Sequence, residues 1–312
     1  MMSATIRDRC MSEVSPHLSE NRRKIYQQLG LLEYLQHRQL LQVGELPLHC
    51  ELYPAQPNDP WILFIPGIGT YSELYCEMLH KLSLCGFNCL SIDLPGHGYS
   101  GGSRGNYRLE TLIPQLSQLL DQLEQEHSGP IGVFGCSIGS RIGLALAEQD
   151  PRVRALMCHT LFVNEVPPDM LHQFGWQALS FNRWFMPWAE VDFRSFIDID
   201  NLLNHNPMGE FARVDERLVW QYPISTLDSV YNARSRITEA ELEIPSAIIV
   251  GERDEVLTPS YTRRLIRNSR QPFDLFEIEG GCHMLPFEHI DTTVETVADW
   301  FQCQHGFEPA KV

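Results

Sequence analysis

The chain of 312 residues carries 40 acidic against 24 Lys and Arg side chains, a formal net charge of −16 at pH 7, and is 43% hydrophobic. That balance excludes an overall positive field that would draw in nucleic-acid phosphates, while the apolar content suits a globular chain with a sizeable core. Nine scattered cysteines without C-x-x-C spacing argue against a disulfide framework or a structural zinc site and point to a reducing, cytoplasmic setting.

The opening stretch, MMSATIRDRCMSEVSPH, lacks the apolar core of a signal peptide. No window approaches the roughly 20 apolar residues of a membrane span. Residues 1 to about 20 are polar and read as mobile. In NRRKIYQQLGLLEYLQ, Ile25, Leu29 and Leu32 recur at helical spacing and predict a short amphipathic helix. QLLQVGELPLHCELYPA reads as two short strands around Gly44, and AQPNDP as a turn.

WILFIPG, FNCLSIDLPG and IGVFGCS are short apolar runs that lead into glycine or a turn. Helical stretches lie between them, over Tyr71–Leu84 and Leu109–Glu126. VRALMCHT, SAIIVGERD and FDLFEIEGG continue the series. Apolar strands alternating with helices predict an α/β fold with a mostly parallel central sheet, covered on both faces. Ligands of such sheets sit beyond the carboxyl ends of the strands. From Phe162 to Arg236 no clean strand is visible and aromatic residues abound, which predicts a mostly helical cap over that edge. The expected organisation is an N-terminal extension over 1–40, a core over 41–161 and 237–305, and a helical cap over 162–236.

Gly135-Cys136-Ser137-Ile138-Gly139 fits G-x-S-x-G between a strand and a helix. A nucleophile on so sharp a turn is crowded, and glycine two residues to either side relieves the clash. The helix that follows aims its N-terminus at the serine, favouring a developing oxyanion. Ser137 is therefore the candidate nucleophile. It needs a base, and the base needs an orienting carboxylate. Asp254 follows a strong strand, with Glu252 and Glu255 as the substitute carboxylates. His283 follows the last strand in a Gly-rich loop. The oxyanion requires two backbone N–H donors, for which Ile138 and Ile68 are the candidates.

With these residues in place, the chain resembles the α/β-hydrolase superfamily. DLPGHGYSGGSRGNY (Asp93–Tyr107) resembles the G-H-G-x-S-x-G-x-R-G stretch of lysophospholipase and monoacylglycerol lipase-like serine hydrolases, through Gly96, His97, Gly98, Ser100, Gly102, Arg104 and Gly105. The resemblance spans about residues 45–303. It implies an α/β-hydrolase fold with Ser137, Asp254 and His283 as the triad, Ile68 and Ile138 as the oxyanion hole, and His97 as a structural residue. One departure is Pro66-Gly67, where many relatives have His-Gly. Proline removes its own N–H but not that of residue 68.

The function this implies is hydrolysis of a carboxylic ester, a monoacyl lipid or medium-chain ester, with no metal or organic cofactor. Thioester, peptide or C–C hydrolysis and acyl transfer would use the same triad. Dehalogenase and epoxide hydrolase chemistry want a carboxylate at position 137. A non-catalytic ligand-binding protein would often lack a triad member. Trp176, Trp184 and Trp188 are candidate substrate-binding side chains of the cap. Met170, Met186 and Met208 could line an acyl pocket or form the cap's own core. Cys136 and Cys282 flank nucleophile and base, either as packing residues or as thiols whose modification would perturb the triad.

Overall fold

The computed structural model describes residues 19–41, 48–126, 129–195 and 207–309. In chain order the strands are β1 (Gln39–Leu41), β2 (Cys50–Tyr53), β3 (Trp61–Ile65), β4 (Asn88–Ile92), β5 (Ile131–Cys136), β6 (Val153–His159), β7 (Glu190–Asp192), β8 (Gln221–Pro223), β9 (Ser246–Gly251) and β10 (Asp274–Ile278). Eight of them form one sheet in the order β1-β2-β4-β3-β5-β6-β9-β10. The pairings β1/β2 and β2/β4 are antiparallel, and every other neighbour is parallel. Every residue of β3, β4, β5 and β9 is buried. These strands are continuous apolar runs because both faces are covered. The edge strand β10 leaves Asp274 and Glu277 exposed.

Two helical layers make the cover. Helices α4 (Leu109–Glu126) and α5 (Ile138–Gln149) close one face over Leu63, Val133 and Leu156. Helix α3 (Cys76–Leu84) and the last helix close the other over Phe64, Phe134 and Ile249. The stretch expected as a helix over Tyr71–Leu84 opens with a 3-10 turn at Ser72–Tyr75.

The N-terminal extension forms two helices where one was expected. Helix α1 (Glu20–Gln28) is capped by Ser19, whose hydroxyl accepts the Arg22 N–H at 3.2 Å. Gly30 at φ +73° then breaks the run before α2 (Leu31–Leu35). Both helices are docked, with Tyr26, Leu31 and Leu35 buried. Arg22 pairs with Asp215 of the cap at 2.9 Å. The Tyr26 hydroxyl donates to Glu73 at 2.7 Å, and Arg38 pairs with both Glu51 and Glu73. Residues 1–18 and the predicted turn at Gly44 lie outside the described residues.

The segment expected as a helical cap is mixed. It carries α6 (Met170–Asn182), α7 (Pro207–Val214) and α8 (Ile224–Tyr231), and also an antiparallel ribbon of β7 and β8. Each strand of the ribbon has 3 residues, too short to reveal a two-residue period in sequence. After it the chain returns to the core through α9 (Pro259–Asn268), α10 (Leu285–Glu288) and α11 (Ile290–Gln302). No helix among the described residues is long and apolar enough to cross a membrane.

Candidate active site

Ser137 stands at the carboxyl end of β5, in the middle of the sheet, and caps the N-terminus of α5 with φ 52° and ψ −115°. A non-glycine residue at positive φ is a strained backbone that its surroundings must hold. Here its N–H donates to the His159 carbonyl at the end of β6, and its carbonyl accepts the Ser140 N–H at 2.9 Å. The flanking glycines are needed for contact. A Cβ on Gly135 would lie 2.5 Å from the Gly139 carbonyl oxygen, and one on Gly139 would overlap the Ile65 carbonyl.

The loops after β9 and β10 are pressed together. The Arg253 N–H donates to the Gly281 carbonyl at 2.8 Å, and the Gly280 N–H to the Glu252 carboxylate at 2.9 Å. This brings Asp254 and His283 into register. His283 Nδ1 lies 2.8 Å from Asp254 Oδ2, while Asp254 Oδ1 accepts the Val256 and Leu257 N–H groups at 2.9 and 2.8 Å. Burial works against ionising Asp254, but the facing His283 and the amide donors outweigh it and hold the carboxyl below its usual range. Glu252 and Glu255 are exposed, so Asp254 alone of the three carboxylates orients the imidazole. With Nδ1 engaged, Nε2 is left for the cavity.

That cavity, of about 150 Å³, is lined by Ser137, His283 and Ile68 together. In the loop after β3 the Gly67 N–H is bound by the Tyr75 hydroxyl at 3.2 Å and the Gly69 N–H by the Tyr222 hydroxyl at 2.7 Å. The Thr70 N–H donates to the Gly67 carbonyl. Between Gly67 and Gly69 the Ile68 N–H has no hydrogen-bond partner among the described residues. Ile138, 1% exposed, is the first residue of α5, where a helix leaves N–H groups unpaired. Both oxyanion candidates thus present an N–H with no partner among the described residues.

His97 is buried and does not line the cavity that holds Ser137. Its Nε2 bonds the Tyr222 hydroxyl at 2.6 Å and its Nδ1 lies 3.1 Å from the Pro95 carbonyl. Burial pushes its imidazole down to about 4. It supports the tyrosine that in turn holds Gly69.

The three candidate tryptophans, Trp176, Trp184 and Trp188, do not line the cavity. Trp176 is buried, stacked on Tyr231 at 5.7 Å and close to Phe162. Trp184 and Trp188 are 77% and 73% exposed. Of the three methionines, Met170 and Met186 are exposed and Met208 lines the cavity. The aromatic lining comes instead from Phe193, Phe211, Trp220 and Phe287. Helix spacing alone did not tell which side of α6 faces the core.

Sequence reasoning also missed His159. Its ring lies 5.5 Å from that of His283 and its Nδ1 3.6 Å from Cys136 Sγ. Burial, with His283 beside it, pushes its imidazole down to about 3. The signal for it was position, since His159 ends the run VRALMCH at the same sheet edge as Ser137. Tyr75 and Tyr222 had no such signal. Burial raises the Cys136 thiol to about 12, and burial with Glu288 beside it raises Cys282 to about 11. Neither is an activated thiolate. Among the described residues no group of three or more His, Cys, Asp or Glu could hold a metal ion.

The sheet order, the serine turn after β5 and the Asp–His pair after β9 and β10 define an α/β hydrolase. A family model described as "Serine aminopeptidase, S33" (Hydrolase_4) matches residues 56–290, and the chain belongs to that family. Over 110 residues it is 30% identical to a haloalkane dehalogenase of Psychrobacter cryohalolentis, a match covering 35% of each chain. It therefore spans about a third of the length of that curated relative. Among solved structures it is similar to the monoacylglycerol lipase of Paleococcus ferrophilus, with TM-score 0.68 and 22% identity over 81% of this chain and 97% of that one. It is also similar to a soluble variant of monoglyceride lipase from Saccharomyces cerevisiae, with TM-score 0.69 and 17% identity over 84% and 93%. At these identities the likeness is one of fold.

Proposed function

We propose that the protein hydrolyses carboxylic esters, with a monoacyl lipid or medium-chain ester as substrate, through an acyl-enzyme on Ser137. The observation that carries this reading is the Asp254–His283 pair at 2.8 Å opening on the same cavity as Ser137. His283 Nε2 takes the serine proton as Oγ attacks the ester carbonyl. Asp254 holds the tautomer and stabilises the imidazolium. The N–H groups of Ile68 and Ile138 receive the oxyanion, a donor of this kind being worth about 2.7–4 kcal/mol of barrier. His283 then protonates the departing alcohol, and water repeats the cycle on the acyl-enzyme. A serine at the elbow, where dehalogenation would need a carboxylate, supports acyl chemistry over that of the dehalogenase relative.

The family's description brings peptide hydrolysis forward as the second reading. An aminopeptidase must neutralise the ammonium of its substrate, because a buried unpaired charge is costly. Among the described residues the cavity lining includes no Asp or Glu and is dominated by Leu, Met, Phe and Trp side chains. That composition favours a hydrocarbon chain over a peptide amine.

The test is a panel of p-nitrophenyl esters from butyrate to palmitate, a monoacylglycerol and an aminoacyl amide, run on the wild type and on Ser137→Ala. We expect ester turnover that falls at least about 10³-fold in the variant. Ester turnover that survives in Ser137→Ala removes the mechanism. Turnover confined to the aminoacyl amide transfers the site to the peptidase reading.

A further inference from the structure

A second cavity, also of about 150 Å³, lies behind the first. Leu29 and Leu31, from the junction of α1 and α2, form one wall; Pro286 and Ile290 contribute on another side. The two cavities share Leu74, Met208 and Phe287 in their linings. What separates them is side chain, and Met208, unbranched and with three rotatable bonds, is suited to give way. The charged group of the second lining is Glu77, already neutralised by Lys81 at 2.6 Å. The remaining lining is hydrocarbon or thioether. Leu29 and Leu31 precede residue 56, where the family match begins. This wall is therefore an addition of this chain's own N-terminal extension.

We propose that the second cavity is a distal acyl subsite: the end of a long unbranched acyl chain passes between Leu74, Met208 and Phe287 and rests against Leu29 and Leu31. The N-terminal helices then set the upper limit of chain length. The occupant is fixed by continuity with the cavity that holds Ser137, because the side chains shared by the two cavities, Leu74, Met208 and Phe287, carry no charge and no hydrogen-bond donor for a polar ligand. This inference rests on the ester-hydrolase reading above.

The experiment compares kcat/KM for p-nitrophenyl palmitate and butyrate in the wild type and in Leu29→Trp, which fills the second cavity from the N-terminal side. Ile290→Trp fills it from the opposite side and serves where the first variant does not fold. We expect the palmitate-to-butyrate ratio to fall at least about tenfold, since displaced methylenes in an apolar pocket each carry about that much discrimination. An unchanged ratio in a variant that still melts cooperatively overturns the subsite, as does a wild type that hydrolyses butyrate but not palmitate. Both results leave the serine hydrolase standing. Absence of Ser137-dependent hydrolysis of either ester instead removes the reading underneath.

Discussion

Ser137 can occupy its position only because two neighbours have no side chain. Gly139 lies against the Ile65 carbonyl, which is backbone of a central strand and has nowhere to move. We expect Gly139→Ala to cost about 1–3 kcal/mol or more in urea unfolding and to lower kcat. Gly175 is the contrast, exposed in the interior of α6, where an added Cβ would meet nothing within 4 Å. Gly175→Ala should stabilise by about 0.5–1 kcal/mol through the backbone alone, and an equal loss in both variants would refute the steric account. The positions of the proposed nucleophile, Ser137, and of the Asp254–His283 pair were legible in sequence, because each follows a strand and the turn at Ser137 requires a particular glycine spacing. Tyr75, Tyr222 and His159 were not. Their roles come from contacts such as Gly69 to Tyr222, made by residues far apart in the chain, which no local pattern records.

At the scale of elements, the loop from Asp93 to Tyr107 explains its own selectivity. Arg104 donates to the Leu218 carbonyl at 2.6 Å, and a Cβ on Gly105 would crowd the Gln221 carbonyl. His97 reaches Tyr222 on the same cap strand. The loop seats β8 so that its Tyr222 holds Gly69 in the loop after β3. The opposite case is α6. It presents Met170, Leu171, Phe174 and Phe181 outward and buries Trp176, so the aromatic richness of this segment was a poor guide to the pocket. The N-terminal helix is held to the cap by Arg22 and Asp215, whose side chains are 13% and 0% exposed. Arg22→Met leaves the carboxylate buried without its cation, bonded by the Tyr71 hydroxyl and the Arg217 N–H, and should cost up to about 3–5 kcal/mol. Asp215→Asn added to that variant should recover part of the loss. A loss under about 1 kcal/mol in the single variant would mean that the pair behaves as a surface contact.

For the whole molecule, stability should depend on acid through two buried histidines that lie outside the Asp254–His283 pair. His97 and His159 are buried neutral, at about 4 and 3, against about 6.5 when unfolded. The unfolded chain therefore takes up protons that the folded one refuses. Stability present above about pH 6.5 is lost progressively as pH falls from there to about 4 for His97 and about 3 for His159. Asp93 acts with the opposite sign: burial raises it to about 6, so the fold gains from its protonation over part of that range. The two histidines shift further, and the net direction is loss. The urea midpoint should fall between pH 7 and pH 4.5, and fall less in His97→Gln. An identical drop in both proteins would show that His97 takes its proton without unfolding. The parallel sheet that carries all this was readable from its continuous apolar strands, while the β7/β8 ribbon, with 3 residues in each strand, was beneath the reach of periodicity. The bond between Arg22 and Asp215 spans 193 positions. During synthesis Glu73, the partner of Tyr26, emerges soon after α1, whereas Asp215 follows only after six of the eight strands of the sheet have been made. Tyr26, Leu31 and Leu35 therefore find their cover early, on α3 and the turn before it, and the Arg22–Asp215 pair closes late, when the cap arrives at a helix already in place.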